Sequence, residues 1–150
     1  MPSVFKYNGN EIIDSSGNIT ASSVKNALNA SGDAPVYACR AWVNFDGTKD
    51  TSGASSTANT NRLIRASGNV ASVLRNGTGD YTITFTTPMP HANFVVSGMV
   101  AENFTQGGRS DRVVQPIREA MVVGSFRVGS WAHSNGALID CAGLLIMVVA

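Results

Sequence analysis

The chain has 150 residues, a hydrophobic fraction of 43%, a charged fraction of only 14% and a formal net charge of +1. That length suits one ordinary domain with a short appendage, and the near-zero charge, with Lys and Arg scattered singly, excludes the long-range field that gathers nucleic acid or an anionic membrane surface. Gly, Ser, Thr and Asn fill the place of the missing charge, and these residues suit turns and strand faces better than helix interiors.

Residues 1–34 are poor in large apolar side chains and rich in turn signals: Asn8-Gly9, Ser16-Gly17-Asn18 and Ser31-Gly32-Asp33. Two short extended pieces are expected, Val4–Tyr7 and Glu11–Asp14, joined by a tight turn at Asn8-Gly9. Thr20–Leu28 has the pattern of one or two helical turns, with Ser22 or Ser23 as N-cap and Val24, Ala27 and Leu28 on one face. Segments this short are marginal alone. Residues 1–34 therefore read as an arm that orders on a partner. Its candidate contact residues are Val4, Phe5, Tyr7, Ile12, Ile13, Val24 and Leu28.

The main domain is expected over residues 35–150. Val36–Phe45 alternates as a strand, with Tyr37, Cys39, Ala41, Val43 and Phe45 on one face. Thr48–Asn61 is polar, holds no residue that anchors a core, and reads as a mobile surface loop. Its candidate recognition residues are Lys49, Asp50, Thr51, Ser55, Asn59 and Asn61. Strands follow at Arg62–Ser67 and Asn69–Arg75. After a Gly-rich turn comes Tyr81–Thr86, the cleanest alternation in the chain, with Tyr81, Ile83 and Phe85 inward. Further strands are expected at Asn93–Ala101, Asp111–Arg118 and Met121–Val128, with a loop at Glu102–Ser110 and a turn at Asn135-Gly136. The last run, Ala137–Val149, is almost continuously apolar, which calls for a central place in a sheet or an oligomer interface. About eight short strands with Gly, Asn and Pro turns make this an all-β chain, an antiparallel β-sandwich or jelly-roll-like domain with a short N-terminal arm.

Chemistry-bearing constellations are sparse. His91 and His133 stand apart, with no ligand at metal spacing, so neither a metal nor another cofactor is expected. The serines lack a G-x-S-x-G elbow. The acids are dispersed: Asp46, Asp80 and Asp111 suit turn or strand-edge roles, and Asp140, which interrupts an apolar run, is expected to be exposed or paired with Arg40 or Arg127. Catalytic residues are not expected. Cys39 and Cys141 lie in apolar stretches and read as buried thiols, with a disulfide between them left open. Trp42 and Trp131 are candidates for sugar stacking, although their apolar neighbours favour core or interface positions. The N-terminus does not have the form of a signal peptide, and the longest apolar stretch is too short to span a bilayer, so no membrane insertion is expected.

The runs ACRAWVNFDGT, IRASGNVASV and NGTGDYTITFTTPMPHANF together resemble a β-domain of phage tail-fibre-like and virion proteins, over residues 36–100. This resemblance implies a virion-surface protein without enzymatic activity, self-associating, commonly as a homotrimer. Its expected partners are the major capsid protein or tail and portal-vertex proteins, with a host surface glycan as a further candidate. Two places depart from the pattern. The short hairpin after the WVNF run is expanded into Thr48–Asn61, and only residues 1–34 remain for attachment. Capsid decoration and cementing is the expected role, and a receptor-binding fibre tip or tail accessory is the alternative.

Overall fold

The computed structural model describes residues 4–20, 23, 39–101 and 112–150. The chain divides into two compact units, Met1–Ala38 and Cys39–Ala150. The division falls a little after the Ala34-Pro35 boundary read from the sequence. The expected helical turns and Val24 and Leu28 lie outside the described residues apart from Thr20 and Ser23, and so does the Glu102–Ser110 loop.

In the first unit, β1 (Phe5–Tyr7) pairs antiparallel with β2 (Asn10–Ile13). Asn8 and Gly9 sit at φ +49° and +79°, the two consecutive left-handed positions that a tight hairpin requires. Asp14 closes the following turn by accepting from the backbone N–H groups of Ser16 and Asn18, each at 2.9 Å.

The second unit is an antiparallel β-sandwich. Its strands are β3 (Cys39–Asp50), β4 (Arg62–Gly68), β5 (Val70–Gly77), β6 (Asp80–Phe85), β7 (Val95–Val100), β8 (Arg112–Val122), β9 (Ser125–Ala132) and β10 (Leu144–Val149). One sheet runs β4-β3-β10-β7 and the other β5-β6-β9-β8. The chain passes between the sheets after β4 through Asn69, a non-glycine residue at φ +56°. Its side chain holds that corner: Nδ2 donates to the Arg40 and Thr87 carbonyls at 3.1 and 3.0 Å, and Oδ1 accepts from Thr87 N at 2.7 Å. Asn tolerates this conformation because its short amide can bond locally.

The core follows from the alternation. Tyr81, Ile83 and Phe85 of β6 are buried, as are Val43 and Phe45 of β3 and Leu144, Ile146 and Val148 of β10. Phe85, Phe94 and Phe126 form an aromatic cluster with ring centroids 5.4–5.7 Å apart. Of the two places expected for the final apolar run, a central strand or an oligomer interface, β10 takes the first, between β3 and β7. Pro116 lies in β8, an edge strand, where a missing N–H is tolerated.

Two details differ from the alternation. Cys39 is exposed, because a register irregularity between Val148 and Val149 of β10 shifts the start of β3, and Cys141 alone is buried. No disulfide joins them. Trp42 points outward on β3 and is 45% exposed. Its indole lies against Gly68, the residue opposite it on β4, where any β-carbon would collide with the ring.

Candidate functional site

The segment Thr48–Asn61 is not the mobile loop that its composition suggests. Thr48, Lys49 and Asp50 complete β3. Asp50 then caps the tip, accepting from Ser52 N at 2.9 Å, Ser52 Oγ at 2.6 Å and Ala54 N at 3.3 Å, while Gly53 takes φ +86°. The Ser52 hydroxyl, foremost, and the two backbone amides hold the Asp50 carboxyl below the usual carboxylate range. Thr51, Ser55, Asn59 and Asn61 are exposed around this frame, and Lys49 and Asp50 are half-buried.

The anchors come from outside the segment. Arg62, buried at the start of β4, donates through Nη1 to Ser56 O at 2.8 Å, through Nε to Thr60 O at 3.2 Å, and through Nη2 to Ala58 O. Arg75, buried on β5, donates through Nη1 to Thr57 O and Asn59 Oδ1, both at 2.7 Å. Two guanidiniums therefore clasp successive carbonyls of one strap, a task suited to their rigid fork of donors. The strap borders a cleft of about 240 Å³ lined by Thr51, Asn61, Arg62 and Leu63, with Ala71 and Ser72 of β5 opposite.

Arg75 is itself held by Asp140. The carboxylate accepts from Arg75 Nε and Nη2 at 3.1 and 2.9 Å, from Tyr81 Oη at 2.6 Å and from Gly79 N at 2.8 Å. The partner of Asp140 is thus Arg75 and neither Arg40 nor Arg127. Arg75 is distant in sequence, and only the pairing of β5 with β6 brings it near. Burial raises the pKa of Asp140, but the hydrogen bonds from Arg75, Tyr81 and Gly79 and the charge of Arg75 outweigh it and leave the carboxyl below its ordinary value. Tyr81 moves the other way: burial first, then the adjacent carboxylate, push its phenol far up.

The other acids are engaged similarly. Asp46 is buried, accepts from Thr48 N at 3.0 Å and Thr48 Oγ1 at 2.6 Å, and pairs with Arg65 at 2.6 Å. Asp80 pairs with Arg127 and accepts from Asn76 Nδ2 at 3.1 Å. Burial raises its pKa and the bonds from Arg127 and Asn76 lower it further, to a net depression. Asp46, Asp80 and Asp140 each sit on a separate arginine, as anionic halves of structural pairs. Asp111 lies outside the described residues. Among the described residues no group of three or more His, Cys, Asp or Glu converges, and no helix is long and apolar enough to cross a membrane.

The arm residues form a second candidate surface. Phe5 and Tyr7 are 56% and 67% exposed, Val4 and Ile19 are exposed as well, and Ile12 and Ile13 are half-buried. Ile19 is absent from the sequence-derived set, although its apolar side chain beside a turn was legible.

The third surface escaped the sequence reading. The outer face of the β4-β3-β10-β7 sheet carries two cross-strand rows, Ala66–Asn44–Leu145–Met99 and Gly68–Trp42–Met147–Ser97. They floor an apolar groove of about 350 Å³. Met99 is 64% and Met147 44% exposed. Within this face Asn44 Oδ1 is buried, and no donor of the described residues reaches it. Leaving such an acceptor unpaired costs about 1–3 kcal/mol.

No protein-family model, curated protein or solved structure matches the chain.

Proposed function

We propose that the chain is a non-enzymatic structural protein of a tailed-phage particle, decorating and cementing the capsid surface as a homo-oligomer. The observation that carries this reading is the uncovered aromatic hairpin of the first unit. A two-stranded hairpin is marginally stable by itself, yet this one presents Phe5 and Tyr7 to solvent. Side chains of this size gain about 1.5–3 kcal/mol each when fully buried. A shell surface that covers them would order the arm and be clamped by it, and a protein that binds only the assembled shell stabilises it by mass action. The resemblance over residues 36–100 points to the same class of protein.

The test is co-sedimentation of the full chain carrying Phe5→Ser and Tyr7→Ser with purified particles stripped of the protein. Shell binding is expected to fall by at least tenfold, while the near-ultraviolet circular dichroism of the sandwich is unchanged. Binding equal to that of the unaltered chain would overturn the reading. Copy number per particle separates capsid from tail: a number comparable to the major shell protein is expected, and a few copies would place the protein on the tail.

The second reading is a receptor-binding tip or tail accessory, favoured by the clasped strap and its cleft. A rigid display of Thr51, Ser55, Asn59 and Asn61 suits a polar ligand such as a host surface glycan. It predicts that soluble protein competes with infection, and no competition at saturating dose would remove it.

A further inference from the structure

We propose that the outer face of the β5-β6-β9-β8 sheet binds a neutral pyranose ring on Trp131, with Gln115 and the Asp80–Arg127 pair holding its hydroxyls. None of these residues belongs to the strap, and the inference is independent of where in a particle the domain sits.

The platform comes from two residues of β9. Phe126, Val128 and Ser130 are buried, so Arg127, Gly129 and Trp131 alternate onto the outer face. The Trp131 indole fills the space that a side chain at Gly129 would need. Three contiguous carbons of its six-membered ring lie 2.1, 2.4 and 2.7 Å from the place of a Gly129 β-carbon. A ring standing on edge would bring only its nearest carbon that close, so the indole lies across the strand with one face down. Gly129 is buried beneath it, and Trp131 itself is half-buried. Val113 on β8 and Leu138 pair with Trp131 from its two sides and are exposed.

The rim of this platform is polar. In register with Gly129 stand Asp80 on β6 and Gln115 on β8, one on each side. Arg127 donates through Nε to Asp80 Oδ1 at 3.1 Å and through Nη2 to Asp80 Oδ2. Asn76 Nδ2 donates to Asp80 Oδ1 at 3.1 Å and to Thr82 Oγ1 at 2.9 Å. These bonds fix the rim without exhausting it. Among the described residues, Arg127 Nη1, Asn76 Oδ1 and the carboxamide of exposed Gln115 meet no partner. The Arg127 side chain is 41% exposed.

That combination selects the ligand. The face of an aromatic ring is electron-rich and attracts weakly positive C–H groups. A pyranose presents a face of C–H groups and a perimeter of hydroxyls, each able to donate and to accept. It covers the indole and pairs with the rim at once. An aliphatic ligand would strip water from the rim and leave it unpaired. The rim holds one anion and one cation, bound to each other, so neither an anionic nor a cationic ligand is favoured over a neutral one. A platform on a sheet face admits a ring from within a chain as well as one at its end. Contact is shallow, so a dissociation constant of about 1 mM is expected.

The chain has two tryptophans, and Trp42→Phe leaves Trp131 as the sole indole reporter. Fluorescence titration of this full-length variant with neutral gluco-, galacto-, manno- and N-acetylglucosamine oligosaccharides, up to about 10 mM, tests the proposal. Saturable quenching by at least one of them is expected, with the same affinity for the unaltered chain by calorimetry. Trp131→Ala should weaken that binding at least tenfold, and Trp131→Phe, which keeps an aromatic face, by only about threefold. Gly129→Ala retains every polar partner but forces the ring off the strand, so binding should fall at least fivefold. Gln115→Ala has no bond within the described residues to lose, which makes it the variant least exposed to a folding defect; it should weaken binding about threefold or more with unchanged near-ultraviolet circular dichroism. Absence of saturable binding by every neutral probe overturns the proposal, as does binding that survives Trp131→Ala. Unaltered affinity in Gln115→Ala overturns the rim, and an oligogalacturonate bound more tightly than every neutral probe overturns the ligand class.

Discussion

Replacing Asp140 by Asn tests whether the charged network behind the strap is structural in the way its geometry implies. The substitution is nearly isosteric. Placed with its oxygen at Oδ1, the amide still accepts from Tyr81 Oη and Gly79 N, bonds of 2.6 and 2.8 Å in the native chain. Its NH2 group then faces Arg75 Nη2, donor against donor, where a 2.9 Å ion pair stood. Arg75 keeps Thr57 O, Asn59 Oδ1 and Thr78 Oγ1 as acceptors but loses its counter-charge. Stranding one member of a buried pair costs about 3–5 kcal/mol, and because the remaining acceptors relieve part of this, about 3 kcal/mol is expected. At about 3–4 °C per kcal/mol for a domain of this size, the melting temperature falls by roughly 10 °C. The pH dependence gives an independent check. The Asp140 pKa is depressed on folding, so its stabilisation is fully present above the unfolded value of about 3.9 and is lost as pH falls through the lower folded value. Chemical denaturation of both proteins from pH 6 to pH 2 should show a constant gap above about pH 5 that narrows below pH 4. A gap under about 0.5 kcal/mol at pH 6, or one that does not change with pH, would refute the assignment of Asp140 as the ionised partner of a buried arginine.

Further outcomes follow from the same geometry. Arg62→Met keeps the aliphatic stem but removes the donors to Ser56 O and Thr60 O, so hydrogen exchange at Ser56 N and Arg75 N should quicken at least tenfold while global stability falls by only about 1–2 kcal/mol. Exchange measured by mass spectrometry or NMR checks it. The folded chain should present one fast-reacting thiol to a small thiol reagent, Cys39, with Cys141 reacting only after unfolding; Cys39→Ser should remove the fast phase.

Sequence legibility tracked the range of the interaction. Alternation is local, and it delivered the inward set Tyr81, Ile83 and Phe85, the Asn8-Gly9 hairpin and the central place of β10. What failed was long-range. Thr48–Asn61 contains no apolar anchor, and what holds it is not local: Arg62 and Arg75 reach back into the segment from the strands that follow it. Asp140 was expected to be exposed or paired with Arg40 or Arg127, but which arginine it meets depends on which strands pair, and Arg75 is 65 residues away. Cys39 failed for a different reason: one register irregularity turns the start of β3 and voids a two-residue period. The outer face was not legible because Trp42 read as core or interface and the run holding Leu145 and Met147 as a central strand or an oligomer interface. Only the pairing of four strands shows that they share the face turned away from it.

That pairing bears on how the sandwich divides its labour. The sheet with the buried charge network, β5-β6-β9-β8, contributes Arg75 to hold the strap, and the strap displays polar side chains. The opposing sheet, β4-β3-β10-β7, carries Trp42, Leu145, Met147 and Met99 on its outer face. A polar display needs a rigid support, because a loop ordered only on binding spends part of its interaction energy on that ordering. Two buried guanidiniums supply the support without any large apolar residue in the loop. Loop residues can then vary in chemistry while the carbonyls that Arg62 and Arg75 hold remain, since backbone acceptors do not depend on side-chain identity. Substitutions at Thr51, Ser55 and Asn61 should therefore leave stability within about 0.5 kcal/mol of the native chain, whereas Asn59, whose Oδ1 accepts from Arg75, should not be free to vary in the same way. The strap is built so that recognition can change at its surface while the clasp beneath it stays the same.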